Sequence, residues 1–502
     1  MRWQKQISLQ PVVATILEKH CKTGAMFYDG RTCGSLIFSR YKTYIVRQVV
    51  KFIRHYSLPV FSSIIGSMAS KEKVRNRAHF IGIGGIGMSA LARYFLSEGW
   101  KVSGSDLSPS GTTDELKKEG VAVYIGKQSA NNIQKSGPSL VIYNNAIPKE
   151  NPELIAAEKS GAAVRSYPEI VGELTKKYKT IAVAGSHGKS TTTAMVSLIL
   201  IEAGLDPTII IGTKLKELGG KNFRKGNSGW LVLEADEWRA AFLNYHPYVA
   251  AITNIDKEHL DFYKNFANVQ KTFEQFKERC ETVVERSTNP KLAAEIKKVL
   301  KIPGDHNVNN ALNAYAIADY LDIPRQTILK ALGKYRGAWR RMEYRGTLSV
   351  NRTSHSAHLR TIRDARYTIR VFDDYAHHPS EIRATLAAFK QKWPKNPLIC
   401  VFQAHQAHRL KALFNDFKTA FKAADRVILF PTYIVAGREQ ELDKKRSSEA
   451  LARVVGAEYL KNPKDLKKIL IKVVSALNPK LSPIIVMMGA GDIINYTENL
   501  VS

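Results

Sequence analysis

The stretch Ala184-Gly185-Ser186-His187-Gly188-Lys189-Ser190-Thr191-Thr192-Thr193 constrains this chain more than any other feature. It follows Lys179-Thr180-Ile181-Ala182-Val183, an apolar run of strand type, and precedes Ala194 to Ala203, which reads as a helix. A strand, a glycine turn ending in Gly-Lys-Ser and a helix together make a cradle for nucleotide phosphates. Backbone N–H groups from Gly185 to Thr191 can point at the phosphate, and the helix N-terminus adds partial positive charge. Lys189 can reach the terminal phosphates, and the Ser190 hydroxyl can ligate Mg²⁺. Val183 stands where the longer form of this turn carries glycine, so this is the compressed GSxGKS variant, found in a smaller set of ATP users.

A magnesium nucleotide needs acidic partners. The run Trp230-Leu231-Val232-Leu233 ends in Glu234, followed by Ala235-Asp236-Glu237. An apolar strand that delivers Glu234 at its C-terminal end places it where ligands bind in a parallel sheet, which makes Glu234 a metal-ligand candidate. A further strand, Ala250 to Ile255, carries Thr253 and Asn254 and runs into Asp256-Lys257-Glu258-His259-Leu260-Asp261. His259 can ligate a second cation or position a substrate.

Upstream, Gly82-Ile83-Gly84-Gly85-Ile86-Gly87 satisfies GxGxxG between a strand at His79–Gly82 and a helix at Met88–Glu98, with Asp106 ending the next strand. Alone this suggests a dinucleotide such as NAD, yet any diphosphate can sit on such a helix N-terminus. Downstream, His306, Asn307 and Asn310 open an amphipathic helix, as adenine contacts or as simple caps. Arg340-Arg341 read either as phosphate clamps or as a solvated basic face. Asp373-Asp374-Tyr375-Ala376-His377-His378 ends a strand, and the paired acids and histidines invite a metal reading. Without further ligands at zinc spacing, ribose and substrate contacts are preferred. His405 and Arg409 follow another strand, and Arg409 can hold a small carboxylate. Gly489-Ala490-Gly491-Asp492-Ile493 is a glycine turn without an assigned duty.

These elements alternate as strands and helices, predicting an α/β protein with parallel doubly wound sheets. At 502 residues the chain is long enough for about three domains. The expected divisions are a basic N-terminal extension at 1–76, then domains at 77–175, 176–338 and 339–502. Residues 1–67 are expected to lie outside the catalytic fold, since Met68-Ala69-Ser70-Lys71-Glu72-Lys73 resembles the opening of a cytosolic protein. Tyr44–Ile65 within them has an alternative reading as an amphipathic surface helix. Arg345–Arg366 reads as an insertion or long loop. Four scattered cysteines argue against a disulfide framework or cysteine zinc site and fit a reducing cytoplasm. No apolar run approaches the roughly 18 residues of a membrane span, and no secretory signal is apparent. The net charge of +30 comes without a basic stripe interleaved with stacking aromatics, so nucleic acid is not expected as a partner.

Taken together, GIGGIGMSALA, AGSHGKSTTT, LEADE, TNIDKEHLD, GDHNVNNALNA, GAWRRME, DDYAHHPSE and GAGDI resemble, in this order, the motifs of the Mur ligase family from about Ala78 onward. Within the family the resemblance is greatest to the members that join UDP-N-acetylmuramate to L-alanine. The members that reattach recycled peptide are the alternative, followed by an inactive homologue, an NAD-dependent oxidoreductase and a nucleic-acid ATPase. The resemblance implies a Rossmann-like UDP-sugar domain, a P-loop ATPase domain with Mg²⁺, and a Rossmann-like amino-acid domain, in a monomer or homodimer. It implies that Gly84, Gly85, Ile86, Gly87, Met88, Ser89 and Asp106 serve the UDP-sugar. Gly185, Ser186, His187, Gly188, Lys189, Ser190, Thr191, Asn254, His306, Asn307, Asn310, Arg341 and Asp374 would serve ATP. Ser190, Glu234 and His259 would serve metal, and Lys189, His259, His377, His405 and Arg409 catalysis, with His378 also facing the amino-acid pocket. Three departures stand out: Trp238-Arg239 after ADE, a short His259–His306 interval, and the long 345–366 stretch.

Overall fold

A computed structural model describes residues 76–351, 366–434, 443–475, 477 and 482–501. The expected extension up to position 75, including Tyr44–Ile65, lies outside the described residues.

Three sheets organise the chain. The first is entirely parallel, in the order β3-β2-β1-β4-β5, from β1 (Arg77–Ile81), β2 (Lys101–Asp106), β3 (Ala122–Ile125), β4 (Leu140–Tyr143) and β5 (Ala163–Ser166). Strand order reverses between β1 and β4, so the loops after these two strands flank a crevice suited to a ligand. The GxGxxG turn leaves β1 and enters helix α1 (Ile86–Ser97).

The second sheet has the order β11-β10-β6-β9-β7-β8. Its strands are β6 (Lys179–Ala184), β7 (Thr208–Leu215), β8 (Lys221–Arg224), β9 (Trp230–Glu234), β10 (Val249–Ile252) and β11 (Thr282–Val284). Only β8 runs antiparallel to its neighbour. Along β6, Ala182 and Ala184 face one apolar cluster while Ile181 and Val183 face another. That two-sided burial is why the strand reads as a continuous apolar run. Helix α2 (Lys189–Glu202) follows, with Ala194, Met195, Val196, Ile199 and Leu200 fully buried against the same core as helix α3 (Asp305–Tyr320).

The third sheet, in the order β12-β13-β17-β14-β15-β16, contains β12 (Glu343–Asn351), β13 (Arg366–Asp374), β14 (Leu398–Phe402), β15 (Arg426–Leu429), β16 (Glu458–Tyr459) and β17 (Ile484–Met488). β12 is antiparallel to β13, and the other pairings are parallel. The stretch expected to be a long loop from Arg345 therefore begins as a strand. Leu348 and Val350 alternate into the core between Thr347 and Ser349, the period-2 pattern of a half-buried edge strand. Residues 352–365 of that stretch lie outside the described residues.

No helix among the described residues is long and apolar enough to cross a membrane.

Candidate active site

The C-terminal ends of three adjacent strands build the phosphate turn and its braces. β6 supplies the turn itself, with φ of 128° at Gly185 and 85° at Gly188, both in the left-handed region that glycine tolerates. A side chain at Gly188 would also run into the Asn310 amide. β10 leads into Thr253 and Asn254, which clamp the turn. Asn254 O accepts the Ser186 N–H at 2.9 Å, and Asn254 Oδ1 accepts the His187 N–H at 3.0 Å. Thr253 Oγ1 donates to His187 O at 2.6 Å, and Asn254 Nδ2 donates to the same oxygen at 2.8 Å. Asn254 thus shapes the loop through its backbone carbonyl and both ends of its side-chain amide.

β9 delivers Glu234 as expected. Its carboxylate accepts the Ser190 hydroxyl at 2.9 Å and the Gly212 N–H at 2.6 Å. Burial pushes the Glu234 carboxyl above its ordinary pKa, against the Gly212 bond and the Lys189 charge. Lys189 Nζ donates to Gly185 O at 2.7 Å and to Glu237 Oε2 at 2.8 Å. Burial opposes the charge on Lys189, but the carboxylates of Glu237, Asp236 and Glu234 outweigh it and raise its pKa.

The three expected metal ligands divide into two neighbouring groups. Ser190 and Glu234 are together, whereas His259 clusters with Asp236 and Glu237, one ligand atom from each lying within 4.8 Å of the others. His259 Nε2 stands 3.8 Å from Glu237 Oε1. Both groups carry hard oxygen donors suited to a dication beside phosphates.

Two cavities meet at this turn. One of 360 Å³ is lined by Thr191, Asn254, His306, Asn307, Asn310 and Asp374. Burial, with help from Arg341, lowers the His306 imidazole to about 4, so it presents a neutral ring there. The other, of 560 Å³, is lined by Ile86, Gly87 and Met88 on one side and by Lys189, Glu234, His259, His377, His405 and Arg409 on the other. His187, Gly188, Arg341 and Glu381 line both, forming their common wall.

Several candidate residues are occupied within the protein. Asp106 Oδ2 accepts the Gly84 N–H at 2.8 Å, holding the first glycine turn closed, and Gly85 N–H donates to Gly82 O at 3.2 Å. Ser89 is buried, donating to Ile86 O at 2.9 Å and accepting from Asn222 at 3.0 Å. Asp374 accepts the Met342 and Ala376 N–H groups, tying the end of β13 to the preceding linker. Arg409 Nη2 lies 3.1 Å from Glu258 Oε2, both buried. Of the two adjacent arginines, Arg340 is neither a phosphate clamp nor a solvated face. It is 3% exposed and donates to Gly489 O and Gly491 O, which gives the GAGDI turn a structural duty. Asn307 does not cap helix α3. Gly304 occupies the cap position, and Asn307 Nδ2 donates to Pro303 O at 2.6 Å.

Residues beyond the expected set also reach the site. Asn144 and Asn145 follow β4 across the crevice, and Tyr167 closes over Gly87, where a Cβ would meet its hydroxyl at 2.9 Å. Arg239, at the unusual Trp238-Arg239 pair, donates to Asn145 O at 2.8 Å. Glu381 accepts the His377 N–H at 3.1 Å and stands 3.5 Å from both Arg341 and His187. Its sequence signal was the capping-box spacing from His378 to Glu381 at the start of helix α4 (Pro379–Lys392).

A phosphate turn shared by two cavities agrees with what residues 77–491 match. Residues 77–179 match the catalytic domain of the Mur ligase family, 183–298 the Mur ligase middle domain, and 359–491 the Mur ligase, glutamate ligase domain. The UDP-N-acetylmuramate–L-alanine ligase of Clostridium perfringens is 35% identical, over 85% of this chain and 98% of that one. The enzyme of the same name from Aquifex aeolicus is 36% identical, over 85% of this chain and 97% of its own. The crystal structure of the UDP-N-acetylmuramate–alanine ligase of Thermotoga maritima superposes with a TM-score of 0.66 and 27% identity, covering 85% of this chain and 98% of that one. With three successive domain matches and relatives aligned along nearly their whole length, this chain belongs to the Mur ligase family.

Proposed function

We propose that the protein joins the lactyl carboxylate of UDP-N-acetylmuramate to the amine of L-alanine, consuming ATP, in peptidoglycan precursor synthesis. The observation that carries this reading is the common wall of the two cavities, His187-Gly188 with Arg341 and Glu381. ATP placed in the smaller cavity, along His306, Asn307 and Asn310, has its phosphates at Gly185–Thr191 and its γ-phosphate directed toward the larger one. The UDP-sugar enters the larger cavity at Ile86–Met88, and the amino acid at His377, His405 and Arg409. Residues 77–175, 176–338 and 339–502 would then be the UDP-sugar, ATP and amino-acid domains.

A carboxylate is a poor electrophile, so its oxygen first attacks the γ-phosphorus and ADP leaves, giving an acyl phosphate. Two anions must approach, and Lys189 and Arg341 lower the cost by placing positive charge on the reacting oxygens. The groups Ser190–Glu234 and Asp236–Glu237–His259 fit Mg²⁺, which when bound supplies further charge neutralisation for the phosphates. The alanine amine then attacks the acyl carbon, phosphate departs with the C–O bond pair, and the amine proton passes to a base. His377 is suited to that task. Its Nδ1 lies 3.0 Å from Tyr375 O, and a carbonyl only accepts, so Nδ1 carries the hydrogen and Nε2 is left as acceptor.

The test is ADP release on mixing the protein with ATP, Mg²⁺ and UDP-N-acetylmuramate plus L-alanine, glycine, L-serine or the stem tripeptide. Turnover only with L-alanine supports the reading, turnover only with the tripeptide assigns the recycling reaction, and no ADP with any acceptor rejects both.

A further inference from the structure

The adjacent histidines after β13 suggest metal binding, yet their own segment lacks the remaining ligands at zinc spacing. The fold supplies those ligands from the central domain. His187 of the phosphate turn, Glu258 after β10 and His378 at the start of helix α4 each bring one ligand atom within 4.8 Å of the other two. We propose that His187, Glu258 and His378 form a binding site for a transition-metal dication of the zinc class, shared between the central and C-terminal domains.

Three further observations support a ligand here. His378 is 3% exposed, and its Nε2 has no hydrogen-bond partner, an arrangement that is costly for a buried polar atom unless a ligand completes it. Asp256 lies behind both imidazoles, its Oδ2 at 3.0 Å from His187 Nε2 and 3.6 Å from His378 Nδ1. A carboxylate hydrogen-bonded to the far nitrogen of His187 and beside that of His378 is placed to orient both rings toward a metal. It leaves His378 Nε2 for the ion, while His187 Nδ1, now 3.5 Å from Glu381 Oε1, and Glu258, now 3.1 Å from Arg409, exchange those contacts for it. The rings are already close, with centroids 4.7 Å apart. Loading the site moves the His378 hydrogen onto Nδ1 and gives up the long 3.3 Å bond from the Ser380 N–H. The Asp256 carboxylate is the replacement partner for that hydrogen.

The donor set separates this site from the neighbouring Asp236–Glu237–His259 group. Two imidazoles and one carboxylate favour zinc, cobalt or copper, whereas a group dominated by carboxylate oxygens beside phosphates favours magnesium. Tetrahedral zinc needs ligand atoms roughly 3.4 Å apart, given bonds of about 2.0–2.1 Å, so the three side chains must draw together modestly. A metal so held would fix the phosphate turn to the C-terminal domain.

Cobalt titration of the full chain, without nucleotide, tests this. The expected result is one Co²⁺ bound with the intense visible bands of four-coordinate cobalt, displaced by Zn²⁺ and not by Mg²⁺. His378→Gln should weaken that binding by about tenfold or more, whereas His259→Gln in the neighbouring group should leave the bands in place. Circular dichroism establishes that each variant is folded, and Glu258→Gln replaces His378→Gln if the latter is not. Absence of visible bands at excess cobalt, bands unchanged in the folded ligand variant, or bands lost in His259→Gln would each overturn the proposal.

Discussion

Lys189 Nζ and Glu237 Oε2 form an ion pair of 2.8 Å in which the acid is 1% exposed and the ammonium 17%. The pair joins the phosphate turn to the acidic segment after β9, so the lysine is placed by its partner as much as by its own loop. Lys189→Met would leave Glu237 buried beside His259, at 3.8 Å. Removing one member of a buried pair costs about 3 kcal/mol or more. Urea unfolding should show that loss in Lys189→Met and recovery of most of it in Lys189→Met/Glu237→Gln. ADP release should be absent from both proteins. If the single variant were as stable as the parent, the pair would have no structural weight.

Gly188 is held at φ 85° with Asn310 where its Cβ would be. Gly188→Ala therefore meets both backbone strain of about 1–2 kcal/mol and a collision with a residue lining the smaller cavity. Equilibrium dialysis with ATP and Mg²⁺ should show affinity falling by about tenfold or more, a change worth about 1.4 kcal/mol per decade. Gly188→Ala/Asn310→Ala relieves only the collision and should recover part of that loss. Unchanged affinity in the single variant would show that this turn does not hold the nucleotide.

The parts of this site that were legible in the sequence are those written in consecutive residues. The turn at Gly185–Ser190 and the acid at Glu234 follow from one strand, one glycine pattern and one apolar run ending in a carboxylate. Residues whose roles depend on distant partners were not legible. Arg340 and Arg341 are adjacent and chemically identical, yet one binds Gly489 O and the other faces Glu381. Nothing local distinguishes them, because the positive φ of 55° at Arg340 that turns it inward is set by the surrounding fold. Glu381 was hidden for a different reason, since its spacing from His378 is that of a helix cap and carries no mark of a site residue. The β12 edge strand was missed, read as a long loop, because polar and basic neighbours obscured the alternation of Leu348 and Val350.

Asp373 lies beside Asp374 but points away from the site, accepting from Thr497 with Oδ2 left without a hydrogen-bond partner. Burial pushes its carboxyl up to about 6, more than Thr497, Arg340 and Arg345 can offset. A carboxyl with a raised folded pKa binds its proton more tightly in the folded state. Stability therefore falls as pH rises from about 4 to about 6, and the deficit persists above that window. Asp373→Asn removes the ionisation and should stabilise the protein at pH 7.5 by roughly 1–3 kcal/mol, with a smaller gain at pH 5. Urea midpoints at the two pH values give the comparison. A gain independent of pH, or a loss at pH 7.5, would show that the ionised carboxylate is well accommodated.

His377 and His405 both line the larger cavity, with ring centroids 5.9 Å apart, and only one need accept the amine proton. The Nδ1 hydrogen of His377 is committed to Tyr375 O, which fixes its Nε2 as an acceptor. His405 stacks on Tyr433 at 5.5 Å with an interplanar angle of 9°. His377→Asn keeps a side-chain donor for Tyr375 O but removes the basic nitrogen. It should lower kcat by about 100-fold or more, with KM for ATP within about twofold, since the cavity proposed for ATP is on the other side of the common wall. His405→Gln should act mainly on KM for the amino acid. If His405→Gln were the variant that lost kcat while His377→Asn retained it, the proton acceptor would be His405, and the Tyr375 contact of His377 would be a packing feature of the β13 turn.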